Sequence, residues 1–392
     1  MKSSMMETAD RVIFSTYKRQ PMVITRGEGC RVWDSEGRSY LDFVAGIAVC
    51  NLGHAHNRLA EVIAEQSRLL VHVSNLYYTQ PQVELAARLV EKSFADRVFF
   101  CNSGAEANEA AIKLARKYFK EKGELKRFRI ITMEQSFHGR TMATLSATGQ
   151  EKVKTGFAPL LEGFEFIPFD DLKGLREKMD DSICAVMLEP IQGEGGVRCP
   201  SAGYLEGVRR LCDETGTLLI YDEIQTGMGR TGRLFAHEHF DVKPDIMTLA
   251  KALANGLPMG AMLAKESVAG AFGPGSHAST FGGTPLVCAV SLNVLKIMEE
   301  EKILEHCREM GAYFKMQLEQ LRAGHESIEE IRGIGLMLGM KLKINGEAIV
   351  ESCRERGFLI NCIQGNVLRF VPPLIIGKDE IDALIACLDA LL

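Results

Sequence analysis

The chain has 392 residues, of which 46% are hydrophobic and 25% charged, the balance of a globular protein large enough for two domains. Its formal net charge of -5 provides no basic surface for a nucleic acid or an anionic membrane, and no apolar run approaches the roughly 18 residues of a membrane span. The first residues lack the apolar segment of a signal peptide, and eleven cysteines without a C-x-x-C pair favour free thiols. We therefore expect a cytoplasmic protein without nucleic-acid or membrane partners.

The first hundred residues predict a hairpin followed by two helices. Residues Gly29–Phe43 alternate apolar and polar positions around a turn at Asp34–Gly37. His54 and His56 have the spacing of metal ligands on a strand, but without a third ligand nearby a turn before a helix is the better interpretation. The amphipathic helices that follow cover Leu59–Leu70 and Pro81–Ser93.

The segment Val98–Tyr118 predicts a short buried strand, a glycine turn and a helix. Ser103 and Glu106 have the S-x-x-E spacing of a capping box, which places the helix start at this turn. A turn of this kind collects free backbone N–H groups at a helix N-terminus, where anions bind. The segment is therefore either an anion site or only a well-capped helix.

Two further strands end in polar loops. Phe128–Gly149 predicts a strand followed by a loop that holds Phe137, a histidine and Arg140. Cys184–Val197 predicts a buried strand that runs into Glu189 and Glu194 among glycines. Because strands alternate with helices up to residue 264, the pattern indicates a mostly parallel sheet covered on both faces, with polar groups at the strand ends where α/β proteins bind ligands.

The segment Leu218–Gly232 predicts a strand that ends on Asp222. It also contains a literal G-x-G-x-x-G at Gly227, Gly229 and Gly232. We reject a dinucleotide site, because the first glycine falls five residues past the strand and no helical pattern follows. The HEHFD stretch downstream resembles a metal cluster, but a solvated loop is the better interpretation.

In Asp245–Ala264, a lone lysine, Lys251, follows an apolar run and precedes a segment of small residues. Burial of a lysine lowers the pKa of its ammonium group and frees the nucleophilic amine. Beyond about Thr284 the chain changes to Glu- and Lys-rich helices and strand-like stretches at Ile331–Leu342 and Val367–Ile376, which indicates a smaller α+β domain.

Together these segments supply an aspartate and a lysine at successive strand ends, an anion turn, an aromatic face and arginines. Pyridoxal phosphate (PLP) chemistry needs that set. The motifs YDEIQTGMGRTG, NSGAEANEAAIKLAR, FHGRT, EPIQGEGGV and STFGGTPL, together with the lysine segment, resemble the class III aminotransferases over nearly the whole chain. The resemblance implies PLP fold type I, an α/β fold whose large domain has a mostly parallel sheet beside a smaller α+β domain.

The resemblance also implies roles for the cofactor site. Lys251 would form the Schiff base and carry the proton, and Asp222 would pair with the pyridinium. Gln225 would bond the 3′-oxygen and Phe137 would stack on the ring. The phosphate would be held by Ser103, Gly104, Ala105 and, from the neighbouring subunit, Thr280.

For the substrates, the resemblance implies that Arg140 binds the α-carboxylate of the amino donor, with Ser279 close by. Glu194 and Arg369 resemble a pair in which the arginine binds 2-oxoglutarate or glutamate and the glutamate otherwise masks it. Ile47 is apolar where ornithine aminotransferases have a tyrosine suited to a free α-ammonium, and so it favours an acylated donor. No metal is implied.

The domains implied are residues 47–286 for the large PLP-binding domain and 1–46 with 287–392 for the small one, in a homodimer with shared sites. The activity implied is transfer of the δ-amino group of N2-acetylornithine to 2-oxoglutarate in arginine biosynthesis. Ornithine, succinylornithine, succinyldiaminopimelate and 4-aminobutyrate remain alternative donors. A non-catalytic PLP-binding regulatory protein is the alternative of another class.

Overall fold

In the computed structural model, which describes residues 2–392, the chain forms three β-sheets covered by helices. The strands are β1 Ile24–Glu28, β2 Arg31–Asp34, β3 Ser39–Asp42, β4 Arg97–Cys101, β5 Arg129–Met133, β6 Phe164–Ile167, β7 Ile183–Leu188, β8 Leu218–Asp222, β9 Ile246–Leu249, β10 Gly260–Ala264, β11 Ile328–Ile334, β12 Met337–Leu342, β13 Phe358–Leu359, β14 Asn361–Ile363 and β15 Val367–Phe370. The helices are α1 Lys2–Val12, α2 Ala45–Ala48 (a single turn), α3 Asn57–Leu69, α4 Gln80–Glu91, α5 Gly104–Glu121, α6 Met142–Ala147, α7 Glu151–Lys154, α8 Leu172–Lys178, α9 Tyr204–Thr215, α10 Glu266–Ala269, α11 Pro285–Glu300, α12 Ile303–Gly324, α13 Glu347–Glu355 and α14 Lys378–Asp389. Short 3₁₀ turns lie at Ala236–His239 and Lys251–Ala254.

The largest sheet has seven strands in the order β4-β10-β9-β8-β7-β5-β6. All of its pairings are parallel except those of β10, which runs antiparallel to both of its neighbours. The carboxyl ends of the other six strands therefore meet at one edge, together with the start of β10. The predicted fold class, an α/β architecture with a mostly parallel sheet, is confirmed.

Burial on both faces explains why the central strands are apolar throughout. Every residue of β7, β8 and β9 is buried. Ile220 packs toward the alanine face of α5, whereas its neighbours Leu219 and Tyr221 pack toward α9. A fully buried aliphatic side chain contributes about 1.5–3 kcal/mol of transfer free energy, so the two layers hold the strand ends rigidly in place.

The two smaller sheets combine distant parts of the chain. One has the order β1-β2-β3-β13, in which β13 pairs with β3 in parallel, and the other has the order β11-β12-β15-β14. The predicted hairpin is β2–β3, and Asp34 closes its turn by accepting the backbone N–H groups of Glu36 and Arg38. The predicted domain boundaries at residues 46 and 286 remain a prediction.

The two helices predicted before residue 95 are confirmed as α3 and α4. The strand-like stretch Ile331–Leu342 is instead two strands that turn at Gly335, where φ is 59°. The next stretch is a strand only as far as Phe370, because the prolines at 372 and 373 have no N–H for a ladder. The HEHFD prediction was also wrong, since His237 is buried and pairs with Glu223.

None of the helices within residues 2–392 is long and apolar enough to cross a bilayer.

Candidate active site

A cavity of about 410 Å³ opens at the edge where the strands of the large sheet end. The loops after β4, β5, β7, β8 and β9 all contribute to its lining. The predicted site residues that line it are Ser103, Gly104, Ala105, Phe137, Arg140, Glu194, Asp222, Gln225 and Lys251. Parallel strands bring these groups together because their carboxyl ends share one edge. Arg369, Ser279 and Thr280 lie outside this lining.

Lys251 lies two residues after the end of β9 and has a left-handed backbone, with φ of 49°. Among residues 2–392, none makes a hydrogen bond with its Nζ. Burial lowers the pKa of Lys251 to about 8, against the opposing attraction of Glu194. Roughly a tenth of the amine is therefore neutral and nucleophilic at pH 7, far more than for a lysine with the ordinary pKa.

Asp222, the last residue of β8, is held by three donors. Its Oδ2 accepts from Asn108 Nδ2 and from His138 Nδ1, both at 2.8 Å, and its Oδ1 accepts from the Ile224 N–H at 3.1 Å. Thr248 donates to Asn108 Oδ1 at 2.7 Å and so fixes the amide. These bonds orient a buried carboxylate at the cavity wall.

Sequence reasoning assigned no role to Asn108 or His138. Asn108 interrupts the alanine-rich face of α5, and a polar residue on an apolar helix face was the available signal. His138 lies inside the FHGRT motif, next to Phe137. The packing of α5 and β5 against β8 decides which carboxylate the His138 ring faces, and this packing cannot be seen in the sequence.

The start of α5 forms an anion cradle. Ser103 Oγ accepts the Glu106 N–H at 3.2 Å, which confirms the predicted cap, and Glu106 reaches back to the Asn102 N–H at 3.0 Å. Within residues 2–392 the backbone N–H groups of Gly104 and Ala105 have no acceptor. A Cβ on Gly104 would lie 2.7 Å from the Ile224 side chain, so this position requires glycine. Free N–H groups and the helix dipole favour an anion here.

Glu194 and Arg369 form an ion pair that Gln225 completes. Arg369 is buried, and its guanidinium donates to Glu194 and, at 3.2 Å, to Gln225 Oε1. Burial raises the pKa of Glu194, but Arg369 and then Lys251 outweigh burial and leave the pKa below its ordinary value. Gln225 Nε2 lies 3.4 Å from Glu194, so its amide faces the ion pair.

The cavity wall also contains a second buried carboxyl group, Glu189. It accepts the N–H groups of Phe137 and Gly193, at 3.2 and 3.0 Å, and so joins two loops of the site. Burial raises the pKa of Glu189 to about 7. Arg140 lies at the exposed mouth with its guanidinium 5.6 Å from the Phe137 ring centroid, and no ion pair occupies it among residues 2–392.

The two hydroxyl residues of the STFGG motif lie at the edge of the site. Ser279 Oγ accepts from Asn102 Nδ2 at 3.1 Å, and Asn102 lines the cavity. Thr280 is exposed and makes no side-chain hydrogen bond within residues 2–392. Over the same residues, no group of three or more His, Cys, Asp and Glu side chains is arranged to hold a metal ion.

Chemically, the cavity combines an amine of lowered pKa, an oriented carboxylate, an anion cradle and Arg140, and Arg369 pairs with Glu194 of its lining. The sequence model described as "Aminotransferase class-III" matches residues 13–392. An acetylornithine aminotransferase from Caldanaerobacter subterraneus subsp. tengcongensis is 53% identical over 383 residues, which cover 97% of each chain. The ornithine aminotransferase structure from Toxoplasma gondii superimposes with a TM-score of 0.96 at 35% identity, covering 100% of this chain and 94% of that one. The N-acetylornithine aminotransferase structure from Stenotrophomonas maltophilia has a TM-score of 0.84 at 41% identity, covering 96% and 98%.

Proposed function

The chain belongs to the class III aminotransferases, and from this premise we propose that it transfers the δ-amino group of N2-acetylornithine to 2-oxoglutarate. The products are N-acetylglutamate 5-semialdehyde and glutamate, and the reaction is a step of arginine biosynthesis. The observation that carries the proposal is 53% identity to an acetylornithine aminotransferase over 97% of both chains. The cofactor is pyridoxal 5′-phosphate.

The cavity residues fit this cofactor. The unpaired N–H groups at the start of α5 suit a phosphate, with Ser103 beside them. Phe137 offers a face for the ring and Asp222 a carboxylate for its nitrogen, while Lys251 supplies the amine that binds it covalently. When bound, PLP supplies an electron sink for the carbon that carries the amino group. Gln225 and, from a second subunit, Thr280 complete the proposed contacts.

The chain's own residues position the substrates and move the proton. Arg140 binds the donor's α-carboxylate bidentately at the cavity mouth. Lys251, once its amine is free, takes the proton from the carbon that carries the donor's δ-amino group. Glu194 masks Arg369 while the donor is bound. When 2-oxoglutarate enters, Glu194 releases Arg369 to bind the carboxylate.

Ornithine is the second candidate donor, because the Toxoplasma gondii enzyme of that name has nearly the same fold. Ile47 argues against it. This side chain is 44% exposed and apolar, so it offers a charged α-ammonium no partner, whereas an acylated nitrogen needs none. Succinylornithine, succinyldiaminopimelate and 4-aminobutyrate are weaker candidates. A non-catalytic PLP-binding regulatory protein would need Lys251 for the cofactor, but it would not need Arg140 and Arg369 for the carboxylates of two substrates.

A homodimer with shared sites belongs to the same proposal. Exposed apolar residues extend along one strip: Leu69, Leu70, Val71, Leu76, Tyr77 and Tyr78. Thr284 donates to the Val71 carbonyl, and Asn75 donates to the carbonyl of Ser279, so the strip is continuous with the loop that carries Thr280. An apolar strip of this kind favours an interface. We also propose a cytoplasmic location, since all eleven cysteines are free.

The test is a panel of amino donors against 2-oxoglutarate, with wild type and Ile47→Tyr, ranked by kcat/KM. We expect N2-acetylornithine to lead the panel. In the variant, the ornithine to acetylornithine ratio should rise about tenfold if one hydrogen bond to a charged group is gained. A wild-type preference for ornithine would replace the proposal with the second candidate, and the absence of turnover with every donor would favour the regulatory protein.

A further inference from the structure

Four consecutive residues beside the cavity have left-handed backbone conformations. In the α2 turn, φ is 48° at Ala45, 65° at Gly46, 67° at Ile47 and 59° at Ala48. Only one of the four is glycine, and a β-branched residue such as isoleucine rarely adopts this region. Such a strained turn persists only where surrounding residues stabilise it, so the groups that hydrogen-bond to it are candidates for a functional role.

Asp42 and His54 hold this turn at its base. Asp42 ends β3, and its Oδ1 accepts the N–H groups of Val44 and Ala45 at 2.8 and 2.9 Å. Its Oδ2 accepts from His54 Nε2 at 2.8 Å. The Asp42 carboxylate therefore caps the turn and joins the two ends of the loop between residues 42 and 54.

His54 is itself fixed in place. Its backbone exchanges hydrogen bonds with Gly29 at 2.9 and 3.1 Å, and its side chain lies so close to Gly27 that a Cβ there would be 2.6 Å away. The hydrogen bond to Asp42, with a smaller contribution from Cys50, raises the pKa of His54 to about 10. His54 is therefore protonated at neutral pH and donates to Asp42 as a charged group.

The turn contacts the parts of the site that would bind substrate. Ala48 packs in a buried cluster with Val197, Val367 and Val371, which lie close in sequence to Glu194 and Arg369. Val49, the next residue, lines the cavity. The Val371 N–H also donates to the Phe43 carbonyl at 2.9 Å, so the loop and the end of β15 are joined directly.

We propose that Asp42 and His54 are positioning residues for substrate binding: they hold the left-handed α2 turn and, through it, the Val49 wall of the cavity. The inference rests on the proposed function for the identity of the donor. Neither residue of the pair lines the cavity that contains Lys251, Asp222 and the anion cradle. We therefore expect the pair to affect substrate binding and to leave cofactor binding unchanged.

The test compares Asp42→Ala with Asp389→Ala in the holoenzyme. Asp389, on α14, accepts from His325 Nε2, at the end of α12, at 2.7 Å, and this second His–Asp pair lies outside the cavity lining, which makes Asp389→Ala the control. Asp42→Ala should raise the KM for N2-acetylornithine about tenfold, as expected for the loss of hydrogen bonds to a charged group. Its kcat should stay within about threefold, and its cofactor absorbance should be that of wild type. Asp389→Ala should change none of these.

Two further variants separate capping from a general loss of stability. Asp42→Asn keeps the acceptor for both N–H groups and should retain most of the wild-type KM. Ala45→Gly in the Asp42→Ala background should lower the raised KM again, because glycine adopts positive φ without strain. If Asp42→Ala does not fold, His54→Ala serves in its place.

Hydrogen exchange in the holoenzyme separates this inference from the proposed function. The amides of Val44 and Ala45 should exchange faster in Asp42→Ala than in wild type or Asp389→Ala. Unchanged exchange, a fall in kcat with KM unaltered, or no rescue by Ala45→Gly would overturn the inference. If wild type does not use N2-acetylornithine, the proposed function fails, and exchange at the turn still decides whether the pair holds it.

Discussion

Lys251 combines a left-handed backbone with a partly buried amine that has no hydrogen-bond partner among residues 2–392, and each property alone is uncommon for lysine. The cost of desolvating the ammonium group is what lowers its pKa, and within the described residues no hydrogen bond stabilises the charged form. The same desolvation that penalises the charge prepares the amine for covalent chemistry. A lysine at the surface keeps its hydration, so its amine would not be prepared for covalent chemistry in this way.

This gives a pH prediction. A lysine whose pKa is about 8 reacts through its neutral form, so PLP uptake by the apoenzyme should speed up as pH rises through about 8 and then level off. Stopped-flow absorbance of the lysine-bound cofactor measures this rate. In Glu194→Gln the midpoint should move lower, because the attraction that opposes burial is gone. A midpoint near 10.5, the ordinary value for lysine, would contradict the prediction.

The two arginines should separate the two halves of the reaction. Arg140→Ala should weaken use of the amino donor, whereas Arg369→Ala should mainly raise the KM for 2-oxoglutarate. A lost bidentate pair typically weakens binding by tenfold or more, about 1.5–3 kcal/mol. Single-turnover absorbance with each substrate distinguishes the two variants. Equal damage to both half-reactions by Arg369→Ala would refute its assignment to the second substrate.

At the scale of elements, helix α5 serves both ends of the cofactor site. Its first turn leaves two N–H groups free, and one turn later Asn108 bonds to Asp222. Gly104 allows the helix to start against Ile224, where a Cβ would be only 2.7 Å from that side chain. The position of the cradle therefore depends on close packing between α5 and the loop after β8.

Gly104→Ala should weaken cofactor binding. The added methyl group forces α5 and the Ile224 loop apart, so we expect the Kd for PLP to rise about tenfold, with kcat close to wild type at saturating cofactor. Titration of the apoenzyme with PLP measures this Kd. Gly324→Ala is the matched control, because a Cβ at this helical glycine meets nothing within 4 Å. An unchanged Kd in Gly104→Ala would show that the cradle tolerates the shift.

At the scale of the whole molecule, the cavity is built mainly by one large sheet, and Arg369, from a sheet formed by later parts of the chain, pairs with Glu194 of its lining. Thr280 is exposed at the edge of an apolar strip and lies outside the cavity of its own chain. A second copy on that strip would bring a partner's Thr280 toward the phosphate cradle. The proposed Thr280 contact therefore requires the proposed dimer, and one experiment can test both.

Complementation between two inactive variants tests this arrangement. Thr280→Glu places a negative charge against the partner's phosphate, and Lys251→Ala removes the covalent amine. Mixed dimers of the two should contain one intact site each, so randomly exchanged subunits should recover about one quarter of wild-type activity. Activity assays after reversible dissociation measure the recovery. No recovery would mean that Thr280 serves its own subunit or that no shared site exists.

Local chemistry explains what the sequence alone determined. The capping box at Ser103 and the apolar strands of the parallel sheet are set by residues that are neighbours in sequence. Their patterns could therefore be recognised in the sequence. The motifs also identified the family, which the comparisons confirm, and nine of the twelve predicted site residues line one cavity. Their individual roles remain predictions.

Contacts between distant segments were decided only by the tertiary structure. Asn108 and His138 meet at Asp222 because α5 and the loop after β5 both pack over the end of β8. His237 can be buried because its ring has a hydrogen-bond partner in Glu223, which comes from another loop. The left-handed α2 turn violates local backbone preference, and Asp42 holds it from outside. Local preference cannot indicate such features, because their stabilisation comes from residues that only the fold brings together.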